Sequence, residues 1–352
     1  MWLKRIKSIL YEVRYLKKTI KKYGDSLLQG RYILFPSMRA MVADNTDSLE
    51  NAKPYFEKKN SSSKMQRLIS KLNQSKYYFN KNKGSSKKYE ALYVANNYDK
   101  IREIKLFSFE RKEILTICTS AEACIKQISE YEKWHKYFKM PPVVRQDKYE
   151  NAYEIAMVQL QPRPAEVYAL STITRCFSMY AEAHNEELQE EQVTSIIDFC
   201  YNEGMNSFLQ KIAKSINPEV LKLKIPICLQ HGDLSRDNLM YGQCSNEMDF
   251  WWIDWEHAKN RIFFYDYFFY ILNTAIYFSD LEGIKAYLNG NCDEHLKKYF
   301  ESFNLQYDPR YRKDYFMLFS IVFLKERVCD TGRIKALEMY CDFIHNTILN
   351  EE

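Results

Sequence analysis

The chain has 352 residues, 46% hydrophobic and 15% aromatic, enough to bury a large core and, at this length, to form two domains or lobes. Its net charge of +5 is too mild to argue for a nucleic-acid partner, and no apolar run approaches the roughly eighteen residues of a membrane span or follows the basic start as in a signal peptide. Nine cysteines without CxxC pairs suggest neither a disulfide framework nor a zinc site, so Cys118, Cys176, Cys200 and Cys228 read as small core residues in a reducing, cytoplasmic setting.

Residues 1 to 23 are a predicted helix. Trp2, Ile6, Ile9, Val13, Leu16 and Ile20 alternate four and three apart, while Lys4, Arg5, Lys7, Arg14, Lys17, Lys18, Lys21 and Lys22 take other faces. Such a seam fits packing against the body or a second copy, or peripheral contact with anionic lipid at the inner face of a membrane. Asn60 to Lys64 and Lys81 to Lys88 read as loops on either side of a helical segment from about Met65 to Lys76, so residues 1 to 88 are expected to be an accessory N-terminal region.

From Tyr89 the pattern turns to strands. Ala91 to Val94 and Glu103 to Phe107 flank a turn at Asn96 to Lys100, and Glu113 to Ile117 is a third strand. A helix is predicted from about Ser120 to Tyr137, stopped by Met140-Pro141-Pro142, and Tyr153 to Val158 is a further strand broken by Gln161-Pro162-Arg163-Pro164. Residues 89 to 162 therefore form a small lobe with its hinge near Gln159 to Pro162. Residues 163 to 352 form a larger, mostly helical one.

Within the second lobe, His231-Gly232-Asp233-Leu234-Ser235-Arg236-Asp237-Asn238 precedes the apolar run Phe250-Trp251-Trp252-Ile253, which ends in Asp254-Trp255-Glu256. An acid, an amide on the same short loop and a second acid at a strand end are the side chains that phosphoryl transfer from a magnesium nucleotide requires. Asp233 would accept the proton of an attacking hydroxyl. Asn238 offers a neutral amide oxygen to Mg²⁺ and Asp254 a hard anionic one. His231 reads as a packed organiser of the loop more than as an acid or base.

The segment from His231 to Asn238 resembles the HGDLxxxN catalytic loop of the aminoglycoside phosphotransferase and choline kinase superfamily. Ile253-Asp254-Trp255-Glu256 resembles its IDWE metal-binding motif, and the match covers roughly residues 228 to 272. The resemblance implies an α+β, bilobal protein-kinase-like fold, with a small antiparallel-sheet N-lobe holding the nucleotide, a larger mainly helical C-lobe holding the acceptor, and an N-terminal helical extension. It also implies a kinase that uses ATP and Mg²⁺ to move a γ-phosphate to a hydroxyl of a small molecule or cell-surface glycan precursor. In that frame Asp233 and His231 are the catalytic residues, Asn238 and Asp254 the metal ligands, Gln159 and Gln161 further cofactor-binding residues, and Asp266 the structural acid that begins the next helix. Lys259 and Ile262 replace the family's Gly and first Asp in the segment before Asp266.

Two departures concern the nucleotide. The turn Asn96 to Lys100 has no glycine, and Cys118 stands where the resemblance implies a phosphate-contacting lysine. Lys100, Arg102 or Lys105 could supply a cation from a neighbouring strand, and Glu130 and Glu132 lie down the helix where one could pair with it. These departures keep open a pseudokinase or nucleotide-binding interaction module. A protein kinase is disfavoured by Gly232 and Leu234 around Asp233 and by the lack of a recognisable activation segment. The aromatic run Trp251, Trp252, Trp255, Phe263, Phe264, Tyr265, Tyr267, Phe268, Phe269 and Tyr270 reads first as core packing, with a quaternary-ammonium cage or sugar-stacking surface as the alternatives. His257 is close enough to Asp254 to line the cleft.

Overall fold

The computed structural model describes residues 23–35, 39–56, 76–79, 88–97, 100–147, 151–201, 207–331 and 340–344. The predicted helix up to residue 22, the helical segment over 65–75 and the loops over 60–64 and 81–87 lie outside the described residues. The chain forms two compact units: Met1–Lys133 with Met140–Gln161 and Tyr241–Asp249, and Trp134–Lys139 with Pro162–Met240 and Phe250–Glu352.

The first unit is built on an eight-stranded sheet in the order β3-β1-β2-β4-β5-β6-β8-β7. Its strands are β1 (Gly30–Phe35), β2 (Ala40–Ala43), β3 (Lys76–Phe79), β4 (Ala91–Asn97), β5 (Lys100–Ser108), β6 (Glu113–Cys118), β7 (Val143–Asp147) and β8 (Ala152–Ala156). Every pairing is antiparallel. Alternation along the strands gives the sheet two apolar faces. Tyr32, Leu34, Leu92, Val94, Ile104 and Leu106 cluster on one, whereas Val42, Ala91 and Phe107 pack with Ala52 and Phe56 of helix α1 (Thr46–Phe56) on the other.

The segment before residue 88, expected to be accessory, thus supplies three strands to the same sheet. Strands of four residues, as β2 and β3 are, are too short for a period of two to stand out, and only their pairing identifies them. Helix α2 (Ala121–Trp134) ends earlier than the predicted Tyr137, because Tyr137 and Phe138 both turn back to the Trp134 carbonyl.

The second unit contains α3 (Glu166–His184), α4 (Val193–Ile197), α5 (Ser207–Ser215), α6 (Pro218–Leu221), α7 (Tyr265–Phe278), α8 (Glu282–Leu288), α9 (Asp293–Glu301) and α10 (Arg312–Thr331). The class expected from sequence, an antiparallel sheet followed by a mainly helical part, is what the structure shows. The second unit is not purely helical, however. β10 (Gln189–Gln192), β11 (Lys224–Gln230) and β14 (Lys259–Ile262) form a three-stranded antiparallel sheet. A further sheet joins β12 (Leu239–Cys244), β13 (Glu247–Trp252) and β9 (Gln159–Leu160), whose residues 159–160 and 241–249 belong to the first unit. The loop from His231 to Asn238 therefore runs from the end of β11 into β12. No helix among the described residues is long and apolar enough to cross a membrane.

Candidate functional site

The loop is anchored at its start by Asp266, in the first turn of α7 and fully buried. The backbone N–H groups of His231 and Gly232 both donate to its carboxylate, the latter at 2.8 Å. The Asp266 N–H in turn donates to the Gln230 side-chain oxygen at 2.9 Å. Gly232 turns the chain with φ +82°, and a Cβ there would run into the Arg261 guanidinium and the His257 carbonyl oxygen. Glycine meets both demands, the left-handed backbone and the close approach.

His231 ties the loop to the strand that follows. Its ring is buried, Nδ1 accepts the Asp233 N–H at 3.3 Å, and Nε2–H donates to the Ile253 carbonyl at 2.8 Å. One acceptor and one donor nitrogen define the neutral tautomer. Burial above all drives the imidazole pKa down to about 4, against the Ile253 hydrogen bond that raises it.

Asn238 closes the other side. Its side-chain NH2 donates to the Asp233 carbonyl at 2.7 Å and reaches the Asp233 carboxylate at 3.4 Å, while its own carbonyl accepts the Ile253 N–H at 3.0 Å. Asp254 follows in a left-handed conformation, φ 65° and ψ 59°, which short polar residues tolerate better than others. Asp233, Asn238 and Asp254 are thus joined through one hydrogen-bonded frame. His257 stands beside it on Glu256, 3.3 Å away. Its pKa is raised, by the Glu256 hydrogen bond first and by the Asp233 and Asp254 carboxylates further, against burial.

The other sequence-predicted positions fall elsewhere. Gln159 and Gln161 belong to the first unit, where Gln159 pairs with Gln243 and the Gln161 N–H donates to the Tyr241 carbonyl. The Cys118 thiol donates to the Gln127 side-chain oxygen at 3.3 Å, and burial foremost keeps it neutral. Lys105 forms an ion pair with Glu103 at 2.8 Å, and Glu103 accepts from Gln127 at 3.1 Å. Glu130 is half-buried and Glu132 exposed. The Lys100 and Arg102 side chains lie outside the described residues. The aromatic run from Trp251 to Tyr270 is core: each ring named above is no more than 6% exposed, and this corrects the alternatives of an ammonium cage or stacking surface.

Sequence reading missed Arg261, whose Nε donates to Glu326 at 3.0 Å and whose Nη1 donates to the His257 carbonyl at 3.1 Å. It also missed Arg236, held by Glu166 and Asp280. The charge of Arg236 inside the loop was visible, but partners 70 and 44 residues away leave no local signal.

No family model matches the chain, and no curated protein matches it. Among solved structures it is similar to macrolide 2'-phosphotransferase type I, at 16% identity over 71% of this chain and 91% of that one, with a TM-score of 0.39. It is also similar to a thermostable mutant of aminoglycoside phosphotransferase APH(4)-Ia, at 12% identity, 74% and 95% coverage and a TM-score of 0.43. A third similar structure is choline kinase LicA from Streptococcus pneumoniae, at 11% identity, 80% and 99% coverage and a TM-score of 0.38.

Proposed function

We propose that the chain is an ATP-dependent phosphotransferase that moves a γ-phosphate to a hydroxyl of a small molecule or glycan precursor. The observation that carries this reading is the single frame in which the Asn238 amide and carbonyl and the neutral His231 ring join Asp233 to Ile253-Asp254. Asp233 is the base: as the acceptor oxygen forms its bond to the γ-phosphorus and the bond to the leaving ADP oxygen breaks, the hydroxyl proton passes to the Asp233 carboxylate. His231, buried and neutral, holds the loop and moves no proton. Asn238 spends its NH2 on Asp233, which leaves the amide oxygen as its atom for a hard cation, and Asp254 adds a carboxylate.

This oxygen donor set suits Mg²⁺, which keeps waters and nucleotide phosphates as its other ligands. Among the described residues no cluster of three or more His, Cys, Asp or Glu is arranged for a metal, and Mg²⁺ held in this way needs none. When bound, the ion neutralises charge developing on the transferred phosphoryl group.

The test is ATP turnover with Mg²⁺ against a panel of sugars, amino alcohols and aminoglycosides, run in parallel for Asp233→Asn. Turnover with one acceptor class, lost in the variant, supports the reading. The neutral, buried Cys118 thiol favours a second one, a pseudokinase: Mg-dependent nucleotide binding with no turnover on any acceptor would select it.

A further inference from the structure

Two positions flank Asn238 in a way the base and metal assignments do not use. The Arg236 guanidinium, with its side chain 16% exposed, reaches from the loop to the buried Glu166 carboxylate, Nη2 to Oε1 at 2.5 Å, and to Asp280. Asp280 is itself set by the Glu282 N–H at 2.9 Å. The other Glu166 oxygen accepts the Tyr270 hydroxyl at 2.6 Å, and that hydroxyl accepts Arg163 Nη2 at 2.6 Å. Arg163 Nη1 then donates to the Leu239 carbonyl at 2.7 Å. The circuit closes on the loop, since Leu239 and Asn238 both turn back to the Ser235 carbonyl.

From Arg236 the path runs through Glu166, Tyr270 and Arg163 to Leu239, so its two ends grip the residues either side of Asn238. Glu166 is only 3% exposed, and a carboxylate so buried must stay paired. Rotation of the Asn238 backbone would have to break a charge-assisted bond at one end or a carbonyl bond at the other.

Resting on the phosphotransferase reading above, we propose that Arg236, Glu166, Tyr270 and Arg163 form a closed positioning circuit whose task is to fix the Asn238 amide oxygen at the metal site. They are positioning residues and touch neither substrate nor ion. Outer-shell partners of a metal ligand are worth about 10- to 100-fold in metal affinity. Plain structural bonds elsewhere are not.

The experiment uses Mn²⁺ as the probe, with free Mn²⁺ measured by electron paramagnetic resonance while it binds the full chain in the presence of AMP-PNP. Tyr270→Phe removes one hydroxyl and keeps the ring, and Glu166→Gln keeps size and one acceptor oxygen. Tyr287→Phe is the control, since its buried hydroxyl donates to the Arg312 carbonyl at 2.6 Å in another part of the helical unit. Expected is an Mn²⁺ affinity weakened about 10-fold or more in Tyr270→Phe and Glu166→Gln and unchanged in Tyr287→Phe, with comparable melting temperatures for the two Phe variants. Tyr270→Phe with wild-type Mn²⁺ affinity would overturn the circuit while leaving the phosphotransferase reading intact. Absence of Mn²⁺ binding by the wild type with nucleotide present would overturn the metal assignment and the circuit with it.

Discussion

Replacing Asp266 with Asn probes the loop anchor through its protons. Burial above all pushes the Asp266 pKa up to about 7 from 3.8, against the Gly232 and His231 N–H groups and Arg261. Because the folded value lies above the unfolded one, the stability this carboxyl contributes is fully present below pH 3.8 and is lost as pH rises through about 7. His231 has the opposite sign. Its folded pKa of about 4 lies below 6.5, so its contribution is present above pH 6.5 and lost as pH falls through about 4. Each group has a slope of about 1.4 kcal/mol per pH unit between those values, so in the wild type the two nearly cancel.

Asp266→Asn removes one slope and keeps the other. Between about pH 4.5 and pH 6.5 the variant should therefore gain about 3 kcal/mol relative to the wild type. This gain is superimposed on a loss of about 1–3 kcal/mol, nearly independent of pH, because an amide offers one oxygen to two backbone N–H donors. Urea unfolding of both proteins across that range measures the difference, and all other titrating groups cancel in it. A stability difference that stays constant with pH would refute the buried, titrating anchor.

Asp233→Asn should lower transfer by roughly 10²–10⁴-fold while leaving Mg-nucleotide affinity near wild type, because the base acts on the acceptor; calorimetry alongside turnover checks both halves. Asp254→Ala should abolish the magnesium dependence of ATP affinity and Asn238→Ala weaken it, and an identical dependence in wild type and Asp254→Ala would contradict the ligand assignment. Gly232→Ala should destabilise the fold by at least about 1–2 kcal/mol from the left-handed backbone alone, more once Arg261 is displaced, and a melting temperature equal to wild type would refute the need for glycine there.

The sequence by itself determined which side chains the loop carries and the alternation of strands with helices after Tyr89. Those signals are local: a base and an amide five residues apart, an apolar run ending in an acid, and periods of two or near four. The resemblance of this segment to the phosphotransferase family also implied Asp266 as the acid at the start of α7, where it stands. Tertiary structure alone decided what held these pieces in place. Strands β2 and β3, of four residues each, are too short to show a period, and they became strands by pairing with neighbours across the sheet. Gly232 is required because Arg261 and the His257 carbonyl come to lie against it, a closeness no spacing in the chain announces. The Glu166, Arg236, Tyr270 and Arg163 circuit joins residues up to 107 positions apart. Buried charge and hydroxyl groups must find partners wherever the fold brings them, so which residues meet is a property of packing and not of the local sequence.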